Sequence, residues 1–295
     1  MIPVTYCFDF SLNESLRPYM FDMMAKNGIK NIVLTNFFIG KILSSTGYID
    51  ALKQETANCG LKFVDAHAVF GHNNDLVTPD KAKRNLMIRR ELLTLEICAE
   101  MGVDTITKHV GFESNYEPNY WPVDQNVEWI EDALSQLLPA AEKLGITICL
   151  ENIWSSTNTP DVLMRIKKDF PTDALGICFD SGHANLCEKG YLHEGNNSVH
   201  RVLWQKIFNK EPDWDDQICE KLLPEIVTCH LHDNDGGKDQ HCLPGKGNID
   251  WDRISGLLKT APKLKYIQSE VSVVTNNVSL SELRETFERM FPESK

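Results

Sequence analysis

ITICLEN (146–152), LGICFD (175–180), IVTCHLHD (226–233) and YIQSEVS (266–272) are the stretches that decide the fold. Each is a short apolar run carrying a metal-competent side chain at or just past its end: Glu151, Asp180, His230 and Glu270. Near-continuous apolar strands are those buried on both faces, as in a parallel sheet covered by helices. If such strands close into a barrel, residues at their C-terminal ends converge on one pocket from distant parts of the chain. Three carboxylates and an imidazole suit a hard or borderline divalent cation such as Mn, Mg, Co or Zn.

Outward from these runs the pattern alternates. Strands are expected near 3–9, 31–35, 62–67, 104–109, 146–151, 175–180, 226–231 and 265–271. Helices are expected near 14–27, 48–59, 79–101, 125–144, 160–168, 200–222, 251–260 and 279–290. Asn27-Gly28, Gly60, Gly102 and Gly145 close helices, and Thr78-Pro79 opens one. The expectation is an α/β protein, a (β/α)8 TIM barrel, with residues 1–295 as a single domain. A doubly wound sheet would carry a glycine-rich phosphate loop after its first strand, and CFDFSLNES (7–15) has no glycine. No nucleotide cofactor is expected. The stretch 188–216 is longer than a connection requires and reads as a lid, a dimer contact or a surface excursion.

The 42 acidic residues outnumber 30 basic ones, and the net charge of −12 argues against nucleic acid and anionic membranes as partners. Nine cysteines without a CxxC pair point to reduced thiols and a cytoplasmic protein. Asp9 and Glu14 interrupt the N-terminal apolar stretch, so neither a signal peptide nor a membrane span is expected.

Five further candidates stand at the loop side of the predicted strands: His67 (VDAHAVF), His109 (ITKHVGF), His183 (FDSGHAN), and Asp239 with His241 (KDQHCLPG). Asp180-x-x-His183 and Asp239-x-His241 each put an acid and an imidazole on one short loop, as a metal or polar substrate requires. Trp121, Trp154, Phe37, Phe38 and Phe70 are expected on loops at the same face, where rings stack on sugars or wall off water; ordinary rim packing is the alternative. His232 is expected to support the pocket from its rim, and Lys108 to point away from the barrel interior. Pro244-Gly245-Lys246-Gly247 reads as a turn, with a phosphate cradle as the alternative.

LEN (150–152), CFDSGHAN (178–185) and CHLHDNDGGKDQHCLPGKGNIDW (229–251) resemble the xylose-isomerase-like barrels over nearly the whole chain. That group includes tagatose and psicose 3-epimerases, inosose dehydratases and type IV apurinic endonucleases. The resemblance to the epimerases implies that Glu151, Asp180, His230 and Glu270 hold one metal and that His183 binds a substrate oxygen. His67, His109 and Trp121 are further substrate-binding candidates. Glu151 and Glu270 would act as paired acid and base on opposite faces of a small sugar or sugar derivative, inverting a carbon through an enediolate. The resemblance to the endonucleases implies a trinuclear zinc hydrolase, with His67, His109, His183, Asp239 and His241 as additional ligands. An inosose-dehydratase-like lyase uses the same barrel. The chain departs from the ketohexose epimerases at Thr157, where they carry a glutamate, and at Gly236, where they carry an arginine, which leaves the sugar open. Barrels of this kind often form dimers or tetramers, so a homo-oligomer is also left open.

Overall fold

The apolar runs form strands β1 (Val4–Tyr6), β2 (Asn31–Leu34), β3 (Lys62–His67), β4 (Thr105–Lys108), β5 (Thr147–Glu151), β6 (Leu175–Asp180), β7 (Ile226–Leu231) and β8 (Tyr266–Ser269). A computed structural model describes residues 2–8, 13–112 and 120–292. All eight strands are parallel and pair in chain order. β8 returns to β1 through Val4↔Ile267, Thr5↔Gln268 and Tyr6↔Ser269, closing the barrel.

Around it lie α1 (Arg17–Lys26), α2 (Asn36–Ser44), α3 (Tyr48–Cys59), α4 (Lys81–Met101), α5 (Val123–Leu144), α6 (Pro160–Asp169), α7 (Ser181–Lys189), α8 (Val199–Phe208), α9 (Ile218–Leu222), α10 (Trp251–Leu258) and α11 (Leu280–Met290). α5 shows why they dock. Val127, Ile130, Leu134, Leu137 and Ala141 recur at helical spacing and are all buried. Gly102 and Gly145 end α4 and α5 at φ 74° and 69°, a left-handed conformation that favours glycine. No described helix is long and apolar enough to cross a membrane.

Three helix expectations are corrected. α4 opens two residues after Pro79, at the cap Asp80, whose carboxylate accepts from the Lys83 amide at 2.9 Å. The helix expected over 200–222 is two, because Asn209 at φ 51° terminates α8 and Pro212 follows before α9. α2 and α7 were not anticipated. α7 begins directly at the end of β6 with no intervening loop, and α2 occupies the segment read as a loop after the second strand. Phe38 in α2 is therefore buried against Phe8, Phe21 and Phe63, a core residue rather than one facing the pocket. The first strand is shorter than expected, and Asp9, its expected end, lies outside the described residues.

The barrel interior is polar at its centre. Asp65, fully buried, accepts from Thr105 Oγ1 at 2.6 Å, Thr228 Oγ1 at 3.0 Å and the Ala66 amide at 2.9 Å. Two residues further along the same strand, on the same face, comes His67.

Candidate active site and metal centre

Strand ends deliver His67 from β3, Glu151 from β5, Asp180 from β6 and His230 from β7, while His109 and Glu270 follow β4 and β8 by one residue. His183 lies in the first turn of α7. Asp239 and His241 come from the loop after β7, which an antiparallel bridge between Asp233 and Cys242 folds back over the barrel mouth. All nine candidates meet. Glu151 is the hub: Oε2 lies 3.1 Å from His109 Nε2 and 3.6 Å from His67 Nε2, while Oε1 lies 3.1 Å from His183 Nδ1 and 3.4 Å from His230 Nδ1. His230 Nδ1 is also 3.2 Å from Glu270 Oε1 and 3.9 Å from Asp180 Oδ2. Asp239 Oδ2 stands 3.6 Å from His183 Nε2 and 3.1 Å from His241 Nε2.

Three histidines share one device. Nδ1 of His67, His183 and His241 lies 2.8, 2.9 and 2.8 Å from the carbonyls of Ala68, Asn152 and Glu270. A carbonyl only accepts, so each Nδ1 carries the proton and each Nε2 is left for a ligand.

Supporting side chains not singled out from the sequence complete the site. Asn152 donates to the Asp180 carbonyl at 3.0 Å and accepts from the Asp180 amide at 2.8 Å, tying β6 to β5. Gln268 Nε2 donates to Glu270 Oε1 at 2.7 Å, and Thr107 Oγ1 lies 3.2 Å from His230 Nε2. Their signal was available: a polar residue two before a ligand in a strand shares its face. Asp180 Oδ1 caps α7 by accepting from the His183 amide at 2.7 Å. His232 sits beneath the site rather than at its rim. It is fully buried, stacks 3.9 Å from the His241 ring, and places Nε2 3.2 Å from Asp180 Oδ2.

Burial disfavours every charge here, and mutual pairing overrides it. Burial pushes Glu151 up, but His230 and His109 hold its carboxyl well below the usual range. His183 and His232 hold Asp180 down, and His183 and His241 do the same for Asp239, both against burial. Conversely, burial lowers His230 while Glu270 and Glu151 raise it to about 10; Asp239 raises His241 to about 9.

The donor set fits a divalent cation. Asp180, His230 and Glu270 offer ligand atoms within 4.8 Å of one another, as do His67, Glu151 and His230, and Asp180, His183 and His232. Glu151 Oε2, His230 Nδ1 and Asp239 Oδ1 are buried without a well-formed hydrogen bond, as ligand atoms awaiting a cation are.

The cavity above measures about 430 Å³, and Phe70, Phe112, Ile153 and Trp154 form its apolar wall. Phe70 stacks on His109 at 4.4 Å, and Trp154 meets His183 edge-on at 4.9 Å. Trp121 does not line this cavity, a correction to its expected role. It precedes α5 and packs against Trp129 at 5.4 Å. Lys108 points outward as alternation requires, bonded to the carbonyls of Val69 and Asn74 and to Glu91. The 244–247 segment is a turn: its Gly245 amide donates to Asp233 Oδ2 at 2.8 Å. At Gly236, φ is 85° and an added Cβ would stand 2.6 Å from Lys189 Cβ, so the backbone leaves no place for a side chain there.

The chain belongs to the xylose isomerase-like TIM barrel family, which it matches over residues 22–271. Among proteins, it is 28% identical over 200 residues to MJ1311 of Methanocaldococcus jannaschii, covering 65% of this chain and 59% of that one. Among solved structures, a D-tagatose 3-epimerase-like protein superposes with a TM-score of 0.71 at 22% identity, each chain covered completely. The IOLI protein with a bound zinc atom superposes at 0.69 and 16% identity, covering 100% of this chain and 99% of that one. At these identities the structures share the fold.

Proposed function

We propose that this protein is a divalent-metal-dependent isomerase or epimerase acting on an unphosphorylated sugar or sugar derivative. The observation that carries the reading is the pairing of Glu151 and Glu270 across His230, at 3.4 and 3.2 Å from its Nδ1, beneath a cavity of sugar size. Glu151, Asp180, His230 and Glu270 would hold the ion, which supplies Lewis acidity that polarises a carbonyl and acidifies the neighbouring C–H. One glutamate takes that proton and the other returns one on the opposite face. Gln268 fixes Glu270 Oε1 for this role, and His183 Nε2 is placed for a substrate oxygen. The aromatic wall stacks on the sugar and excludes water, protecting an enediolate from side reactions.

Absence of cationic partners supports the neutral substrate. No lysine or arginine lines the cavity among the described residues. The segments 7–16, 68–80, 109–122, 152–160 and 270–283 contain neither residue, and Lys238 and Lys246 in the remaining long loop are exposed. A phosphate there would meet carboxylates.

A second reading, metal-assisted phosphodiester hydrolysis, is favoured by one observation: His67, His109, His183, Asp239 and His241 also converge on the site. Metal content separates the two. About one ion per chain, with deuterium entering a ketose from D2O, supports the isomerase. Two or three zinc ions per chain, no C–H exchange with any ketose or inosose, and cleavage of abasic DNA would replace it.

A further inference from the structure

The long helix α4 presents a partly apolar stripe to solvent. Its barrel side is ordinary: Met87, Ile88, Leu95 and Cys98 are buried. On the opposite side Ala82, Leu86, Arg89, Leu93, Glu96 and Glu100 are all exposed. They stand alternately four and three residues apart, the spacing that lines one side of a helix for pairing with another. Leu86, at 66%, is the most exposed large apolar side chain among the described residues, and Leu93, one heptad further on, is 51% exposed. The outward side of a barrel helix ordinarily carries polar residues at such positions.

The charges on α4 run against its own dipole. Every charged side chain from Lys81 to Arg90 is basic, and every one from Glu91 to Glu100 is acidic. The first turn has no acid and the last turn no base, whereas a helix dipole favours acids at the N-terminus and bases at the C-terminus. Part of this charge is met within the chain. Arg84 pairs with Asp132 at 2.9 Å, Glu91 with Lys108 at 3.0 Å, and Glu100 with Lys53 at 2.7 Å. Among the described residues, Arg89 and Glu96 on the exposed stripe have no such partner.

A second copy of this chain supplies what the stripe lacks. Laid antiparallel across a two-fold axis beside Leu93, the basic half of each α4 faces the acidic half of the other. Leu93 then meets its own counterpart, and Arg89 lies opposite Glu96 of the second copy, a pairing that symmetry repeats. A parallel alignment would set like charges together. At 1.5 Å per residue, the 21 residues of α4 offer a seam about 30 Å long. Flanked by α3 and α5, to which Glu100 and Arg84 tie it, that seam suits the lower end of stable interfaces. We propose that this protein forms a homodimer through the exposed side of α4, the two helices antiparallel and Arg89 paired with Glu96 across the axis. The two barrel mouths then face opposite ways, and both stay open to solvent.

Sedimentation of the full chain, alone and with two charge reversals, is the test. The parent is expected to behave as a concentration-dependent dimer. Arg89→Glu and Glu96→Arg each set like charges opposite one another, and each should weaken dimerisation by about tenfold or more. An equimolar mixture of the two variants should recover the dimer, because each then offers the charge the other needs. A variant that had merely misfolded would not recover on mixing. A parent that stays monomeric up to about 100 μM, where even micromolar affinity would show, would overturn the proposal. So would a dimer that either reversal leaves unchanged, or a mixture that stays monomeric.

Discussion

Gly182 is a position where helix propensity and packing give opposite signs. It lies in the first turn of α7 with an ordinary φ, where alanine normally gains about 0.5–1 kcal/mol over glycine. A Cβ at this site would stand 2.0 Å from His232 Cε1, 2.5 Å from Nδ1 and 2.7 Å from Nε2. The ring has no free side to retreat to, since it is buried, stacked on His241, and held at Asp180. Overpacking of this kind costs about 1–3 kcal/mol, and losing a hydrogen bond to a carboxylate adds about 1.5–3. Gly182→Ala is therefore expected to destabilise by about 2–5 kcal/mol in urea unfolding of chelator-treated protein. Because His232 steadies Asp180, metal affinity should also fall about 10- to 100-fold. Adding His232→Ala removes the overlap, so the double variant should regain part of the stability while metal affinity stays low. A single variant as stable as the parent, with unchanged metal affinity, would refute the reasoning.

Asn152→Ala removes the only side chain bonded to both the amide and the carbonyl of Asp180 in a buried setting and leaves the amide without that partner, at a cost of about 1–3 kcal/mol by denaturant unfolding. Glu151→Gln and Glu270→Gln should each abolish deuterium incorporation into substrate while part of the binding, measured by calorimetry, remains. Lys108→Ala strands Glu91, its 3.0 Å partner, at a cost of about 3–5 kcal/mol, and frees the loop carrying Phe70; unfolding and KM should both report it. In chelator-treated protein, His230 and His241 sit at about 10 and 9, above the ordinary imidazole value of about 6.5. Their stabilisation is present in full below pH ~6.5 and is lost as pH rises through 9 to 10. Urea midpoints between pH 6 and 10 should fall on the alkaline side, and bound metal should flatten the decline.

The eight strands were legible because each is an apolar run ending in a loop-side polar residue, and the convergence of His67, His109, Glu151, Asp180, His183, His230, Asp239, His241 and Glu270 followed from that. What stayed hidden had weak local signals. α7 follows β6 directly, the Asp180-Ser181-Gly182 run at its start reads equally well as a turn, and its cap, Asp180, already had a reading as a ligand. α2 carries Gly40 and an apolar surface that periodicity alone could not separate from a loop. Asn152 acts on the backbone of a ligand rather than on a substrate, so its role became visible only once its three-dimensional neighbours were known; Gln268 could have been read from its place two before Glu270, and His232 was expected as a support, though at the rim and not fully buried. Trp121 illustrates the opposite error: an aromatic on a connecting segment at the active face need not reach the pocket when the next helix offers Trp129 as a partner.

Asp180 carries two duties on its two oxygens. Oδ1 closes the first turn of α7, and Oδ2 is turned toward His230 and His232. Folding of the helix thus sets the carboxylate's rotamer before any ion arrives, so little reorganisation remains for loading. The coupling also runs backwards. Any event that frays the start of α7 moves a ligand, and the amide of His183, by its rate of hydrogen exchange, reports on the state of the metal centre from within the backbone.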